Sequence, residues 1–373
     1  MRLYFYLLAF IACTITIGCT HHNGENACVI ASDTLFCELN TDNCIRSNID
    51  SVYYLPLMNS DKHMLTDITK LRIIDDKILI SNKEQSKICA YKTDGTFLYE
   101  IANRGKGHGE YLEIANFTAT SHYIYILDNY SHKIHVYNTE NGKHVKSSEI
   151  SFVAWDLEAF DDNNFLFTML KNNPASKLDF ENTSHSVWRT DSLWSVTDRY
   201  LPYDSNYYEM VGKNTYFTIG VDNRIVFHTF KDDGFYEFHY DGSIKFTKTS
   251  FRNPIPQEYK GDYETAVEKG FLFLSATPFV TEKYIVTEIQ KGEYCDTYLY
   301  DYQKDVFAKN HEPGFKNYML DVCGVWDGHF LSYIQDFELY NELTAGGFTK
   351  AGKDIEDLIQ RGGICLLVYT MQQ

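Results

Sequence analysis

The densest set of chemically capable side chains lies in one glycine-rich stretch, NRGKGHGEY, residues 103–111. Arg104 supplies a cation, His108 an imidazole that titrates near neutrality, Glu110 a carboxylate and Tyr111 an aromatic hydroxyl. Three glycines within five residues permit positive φ and let the backbone approach another group closely. The stretch is not a phosphate loop, because G-x-x-x-x-G-K-[ST] is absent and no helix pattern follows to supply a dipole. Two readings stay open. The glycines carry the chain from the outside of one structural unit to the inside of the next, or the loop touches a ligand, with Arg104, His108, Glu110 and Tyr111 as the candidate ligand-binding residues.

Other polar clusters point less clearly to chemistry. His132 and His135 are three apart, which on a strand places them on opposite faces, a poor start for a shared metal. The runs Asp161-Asp162-Asn163-Asn164 and Asp232-Asp233-Gly234 do not match an EF-hand loop and are explained by turn propensity. No G-x-S-x-G elbow exists, so no catalytic residue is assigned, and no cofactor or metal is implied. C-x-x-C is also absent. Cys89, Cys295 and Cys365 fall in strand-like runs and read as small buried hydrophobes. Cys28, Cys37 and Cys44 crowd the segment before the first unit, where one disulfide is possible in an oxidising compartment.

The chain carries a net charge of −17, a surface that repels phosphate backbones and argues against nucleic acid as a partner. Its first residues, MRLYFYLLAFIACTITIGC, place Arg2 before an apolar run from Leu3 to Gly18, too short and too briefly flanked for a spanning helix. The junction Thr16-Ile17-Gly18-Cys19 resembles a bacterial lipobox, with Thr16 where an aliphatic residue is usual. The expectation is a lipoprotein signal peptide over 1–18 and lipid attachment at Cys19. Secretion with cleavage elsewhere and an uncleaved anchor are the alternatives, and all three readings take the protein out of the cytoplasm. Inner or outer membrane, and periplasmic or surface-facing orientation, stay open.

The elements that must position these residues are strands. Residues 76–101 and 122–145 are one phrase repeated at an offset of 46 positions, and a third version starts at Asp222. Ile78 is followed by Ile88 and Gly95 as Ile225 is by Phe235 and Gly242. Short strands joined by Asp/Asn-Gly turns at a period in the forties describe one propeller blade. Aromatic residues, 16% of the chain, suit a pleated surface. Six units follow: about 70–101, 114–150, 153–201, 216–251, 279–308, and a last one from Leu320 that is interrupted by helical spacing at 338–343 and 355–359. This last unit supplies three strands, and Val52–Leu57 is its natural fourth. The fold class is therefore all-β, a six-bladed β-propeller with N- and C-terminal strands closing one blade. Residues 19–49 read as an N-terminal tether and 50–373 as the propeller.

The stretch 103–117 followed by YIYILDNYSHKIHVYNTENGKHV resembles an NHL-type repeat, and residues 50–373 resemble the six-bladed β-propeller lipoproteins of anaerobic gut bacteria. That family carries G-x-G-P-G-E-Y after its first blade; here Gly105, Gly107, Gly109, Glu110 and Tyr111 match, and His108 replaces the proline. FYEFHYDGSIK at 235–245 and the prolines Pro254 and Pro256 are further matches. The family's Asp-Phe-Gly-Lys is here Ser250, Phe251, Arg252 and Asn253. The resemblance implies fold and envelope location but no activity. The expected function is a non-catalytic, lipid-anchored extracytoplasmic binding or scaffold protein for a glycan, peptide or envelope protein partner, with YDSNYYEM at 203–210 as a source of stacking aromatics. The alternative is a propeller enzyme, a glycan hydrolase or lyase or a lactonase, with its site at the central channel.

Overall fold

Strands in this chain are buried along most of their length, as Lys77–Asn82 and Cys365–Met371 show, because each sheet is sandwiched between two others. The computed structural model describes residues 29–58, 64–169, 185–203, 215–311 and 318–372. Two strands, β1 (Val29–Cys37) and β2 (Ile49–Pro56), precede the ring. Blade 1 is β3 (Lys70–Ile74), β4 (Lys77–Asn82), β5 (Lys87–Lys92) and β6 (Phe97–Ile101). Blade 2 is β7 (Asn116–Ala119), β8 (Tyr123–Asp128), β9 (Lys133–Asn138) and β10 (His144–Glu149). Blade 3 is β11 (Asp156–Asp161), β12 (Asn164–Thr168), β13 (His185–Thr190) and β14 (Val196–Pro202). Blade 4 is β15 (Phe217–Ile219), β16 (Ile225–Phe227), β17 (Gly234–Phe238) and β18 (Ile244–Phe251). Blade 5 is β19 (Leu272–Leu274), β20 (Phe279–Val280), β21 (Tyr284–Lys291), β22 (Tyr294–Asp301) and β23 (Val306–Lys309). Blade 6 is β24 (Gly324–Trp326), β25 (His329–Ile334) and β26 (Cys365–Met371), completed by β2.

These six sheets form a β-propeller, and the termini close it as expected: β2 runs antiparallel to β26, with Val52 opposite Tyr369 and Leu55 opposite Leu366. The aspartate-glycine turns fall where the repeats put them. Gly95 and Gly242 both adopt φ 85°, and a Cβ on Gly95 would lie 2.0 Å from the Pro56 carbonyl oxygen, so that turn admits no side chain. Apolar clusters fill each seam between successive blades; Leu79, Ile88, Phe117 and Ile126, for example, join blades 1 and 2. The helical spacing in blade 6 becomes α2 (Phe337–Ala345) and α3 (Lys353–Gln360), following α1 (Tyr263–Glu268) between blades 4 and 5. Asp336 caps α2 by accepting from the Glu338 and Leu339 amides.

The part of the expected tether that the structure describes is docked to the ring. β1 pairs in parallel with β18, from Val29 opposite Ile244 to Cys37 opposite Phe251. Downstream, the Lys309 amide donates to the Asn43 carbonyl at 3.1 Å on the outer strand of blade 5, before β2 joins blade 6. Residues 29–56 thus form a belt along the outer edges of three blades. The physical reason is that β18, eight residues long, would otherwise present an open row of amides and carbonyls. Leu35 and Cys37 add apolar burial against Val226 and Phe235. The signal peptide, Cys19 and Cys28 lie outside the described residues.

Candidate functional site

The innermost strands surround a central cavity of about 1080 Å³, lined mainly by blades 1, 4, 5 and 6, with Glu158 contributed by blade 3. Blade 5 opens part of this wall. Its inner position is split between β19 and β20, both paired with β21, and the break presents Ser275, Ala276 and Thr277 to the cavity. Aromatic side chains, Phe217, Phe279, Tyr284, Trp326 and Tyr333, share the wall with polar ones. The exposed acids Asp222, Glu282, Asp321 and Asp327 also lie along it.

Between blades 1 and 3 the channel holds a buried ionic layer. Residues two apart on a strand share a face, so Lys70 and Arg72 on β3 point inward together, as do Asp156 and Glu158 on β11. Lys70 Nζ lies 2.7 Å from Asp156 Oδ1 and 2.8 Å from Glu158 Oε1, and donates to the Leu157 carbonyl at 3.1 Å. Glu158 Oε2 accepts from the Thr118 hydroxyl at 2.6 Å and stands 3.4 Å from Arg72 Nε. Asp156 Oδ2 accepts from the Tyr216 and Phe217 amides at 2.7 and 2.9 Å, tying blade 3 to blade 4. Burial pushes the Asp156 carboxyl up; Lys70 opposes this and Glu158 adds to it. The sequence signal for this layer was present in K-L-R and D-L-E, charged residues at alternate positions in the first strand of a unit. Those positions become informative once that strand is known to line a channel.

The glycine-rich loop lies elsewhere, in the crossover from β6 to β7, and none of its four candidate residues lines the cavity. Tyr111 is fully buried at the seam of blades 1 and 2, its hydroxyl donating to the Ser86 carbonyl at 2.7 Å, so it cannot line an open face. Arg104 and Tyr111 bridge the two limbs of the loop through their backbones. Glu110 is exposed but accepts from the Gly107 amide at 2.6 Å, and a Cβ on Gly105 would lie 2.0 Å from its Oε2. Two of the three glycines thus make room for the carboxylate that folds the loop. Gly109 adopts φ 76° against the His144 ring. His108 is exposed and meets His144 edge to face at 5.2 Å; Arg104 is exposed.

Nearby, Ser147 Oγ lies 2.8 Å from His135 Nδ1, and His135 Nε2 is 3.5 Å from Asp128 Oδ2. Asp128 has a structural task there. It accepts from the Ser131 amide at 3.1 Å, as Asn82 at the equivalent place in blade 1 accepts from the Gln85 amide. Burial opposes ionisation of Asp128, but hydrogen bonds from His135 and the Leu112 and Ser131 amides outweigh it and hold its pKa at about 2. His132 sits in the turn at φ 52° while His135 is buried. Among the described residues no three His, Cys, Asp or Glu side chains are grouped to hold a metal.

The acidic runs behave as turns and blade ties. Asp161 accepts from the Asn163 amide at 2.7 Å, Asp162 meets His122 Nδ1 at 2.6 Å, and Asp233 accepts from Lys260 at 2.8 Å. Cys89 and Cys365 are buried, but Cys295 is exposed, because the first residues of β22 extend beyond the blade's packed part. Cys37 and Cys44 are free thiols. Of YDSNYYEM, only Tyr203 is among the described residues, and its hydroxyl donates to the Met169 carbonyl.

No curated protein sequence matches the chain. In structure it is similar to a Bacteroides fragilis NCTC 9343 protein described as exported, at TM-score 0.71 and 17% identity over 92% of this chain and 99% of that one. A Bacteroides vulgatus ATCC 8482 member of the DUF4221 family matches at TM-score 0.53 and 12% identity, covering 87% of this chain and 97% of that one. At these identities the likeness concerns the fold alone. The family model of a domain of unknown function, DUF4934, matches residues 38–360, and the chain belongs to that family.

Proposed function

We propose that the protein is a non-catalytic extracytoplasmic binding protein, lipid-anchored through Cys19, whose ligand enters the central cavity. The observation that carries this reading is the cavity itself: about 1080 Å³, walled by aromatic and polar side chains from several blades, the size and mixed lining of a small-molecule or saccharide site. Of the charged groups in the ionic layer, Lys70, Asp156 and Glu158 are engaged with one another. Lys70 directs its ammonium to two carboxylates and a carbonyl, an arrangement that fixes blades and suits recognition better than proton transfer. Extracytoplasmic placement is supported by the N-terminal apolar segment ending at Cys19 and by the likeness to a Bacteroides fragilis protein described as exported.

A glycan and short-peptide array probed with the mature chain and with Ala276→Trp tests the site. Ala276 lines the cavity, and an indole there occupies part of its volume. Ligands that bind the unmodified chain and are lost in Ala276→Trp support the channel. Ligands retained by the folded variant place the site elsewhere.

A further inference from the structure

The fold treats the two channel-facing cations of β3 unequally. Lys70 donates to Asp156 Oδ1 at 2.7 Å and to the Leu157 carbonyl at 3.1 Å, and is ion-paired with Glu158 Oε1 at 2.8 Å. Arg72, two residues on, has a side chain only 5% exposed and makes no hydrogen bond among the described residues. Its nearest anionic atom is Glu158 Oε2, 3.4 Å from Nε, and that oxygen already accepts from Thr118 at 2.6 Å. A guanidinium offers five donors in a planar fork, so one left with a single long ion pair has unused donors, and its Nε is buried without a hydrogen-bond partner. That is costly for a structural residue and useful for a residue awaiting a ligand. Arg72 lines the central cavity and also a smaller one of about 330 Å³ that opens toward blades 2 and 3.

We propose that the central cavity takes a saccharide bearing one carboxylate, a uronic acid, and that Arg72 receives the carboxylate; the assignment rests on the channel reading above. A planar fork matches a carboxylate with two parallel N–H···O bonds. The neighbouring inner strand, β24, supplies Trp326, a half-buried indole that lines the same cavity and whose Nε1 makes no hydrogen bond among the described residues. Strands β3 and β24 are adjacent, since a Cβ on Gly324 would sit 3.1 Å from Leu71 Cδ2. An indole beside polar groups suits a pyranose ring, which has an apolar face and a hydroxylated edge. The exposed acids Asp222, Glu282, Asp321 and Asp327 disfavour a polyanion, but their field in physiological salt decays over ~8 Å. Such a wall admits one charge on an otherwise neutral, hydroxylated body.

The test is calorimetric titration of the mature chain with glucuronate, galacturonate and mannuronate, each against its own methyl ester, which keeps the ring and removes the charge. At least one acid is expected to bind, with its ester weaker by about 10-fold or more. Arg72→Gln should erase that difference. Arg72→Lys, which keeps a point charge but loses the fork, should retain part of it, and it decides the matter if thermal melting shows that Arg72→Gln does not fold. The assignment is overturned if none of the three acids binds, if acid and ester bind equally, or if the folded arginine variants discriminate as the unmodified chain does. Failure of the channel reading looks different: an acid that binds equally well to folded Ala276→Trp is not in the cavity, whereas equal binding of acid and ester that is lost in Ala276→Trp removes only the role of Arg72.

Discussion

Lys70 on blade 1 reaches past blade 2 to place its Nζ 2.7 Å from Asp156 Oδ1 on blade 3, and the same aspartate receives two amides of blade 4. One carboxylate thereby joins inner strands that are not neighbours in the ring. Removing the cation leaves two buried acids without their shared partner, a loss of about 3–5 kcal/mol for a broken buried pair. Lys70→Met should therefore lower the unfolding free energy by roughly that amount in urea denaturation. A change below about 1 kcal/mol would mean that the layer contributes little to holding the ring.

The belt makes a different prediction. Leu35 is 4% exposed in the apolar seam beneath β1. Leu35→Ala should cost roughly 2–4 kcal/mol of unfolding free energy, the range for a buried leucine. A residue in a free tether would cost nothing, so an unchanged denaturation midpoint would show that β1 is not docked in solution.

How much of this was legible in the sequence follows from what repeats. Blades 1, 2 and 4 share turn and strand spacing, so their strands can be found from the period, and the three strands of the last unit leave Val52–Leu57 as the fourth that closes the ring. β1 belongs to no repeat. VIASDTLFC becomes a strand because the distant β18 offers it an edge, and nothing local announces that partner. Tyr111 illustrates a second limit. An aromatic in a glycine-rich loop reads equally as a ligand contact or a seam residue, and only the position of the Ser86 carbonyl decides between them. Arg72 was hidden because an arginine inside KLRII points outward or inward according to a register that requires the ring to be closed first.

Asp128 gives a pH signature. Its folded pKa of about 2 lies below that of an ordinary aspartate, so its ionised form stabilises the fold above pH ~4, and that contribution is lost as pH falls from about 4 to about 2. The shift corresponds to about 2 kcal/mol. Asp128→Asn retains an acceptor for the Ser131 amide, as Asn82 does in blade 1, but cannot titrate. The stability difference between the unmodified chain and this variant should shrink over that acidic window in denaturation at a series of pH values. A constant difference would mean that the turn cap, and not the charge, is what Asp128 provides.

Anchoring rests on the Ile17-Gly18-Cys19 junction. Cys19→Ala should abolish metabolic labelling with a fatty acid and move the protein out of the membrane fraction. Labelling that persists would exclude Cys19 as the attachment point.

The most direct test of the channel as binding site sets it against the glycine-rich loop. Using a ligand recovered from the array, titration calorimetry is run on the unmodified chain, on Ala276→Trp, and on the double variant Arg104→Ala, Glu110→Ala, with melting temperatures recorded for each. The channel account predicts that Ala276→Trp loses binding by at least about 10-fold while remaining folded, and that the loop variant binds as the unmodified chain does, its melting temperature alone falling because Glu110 no longer accepts from the Gly107 amide. Intact binding by Ala276→Trp together with loss in the loop variant would contradict it and place the site at Arg104 and Glu110.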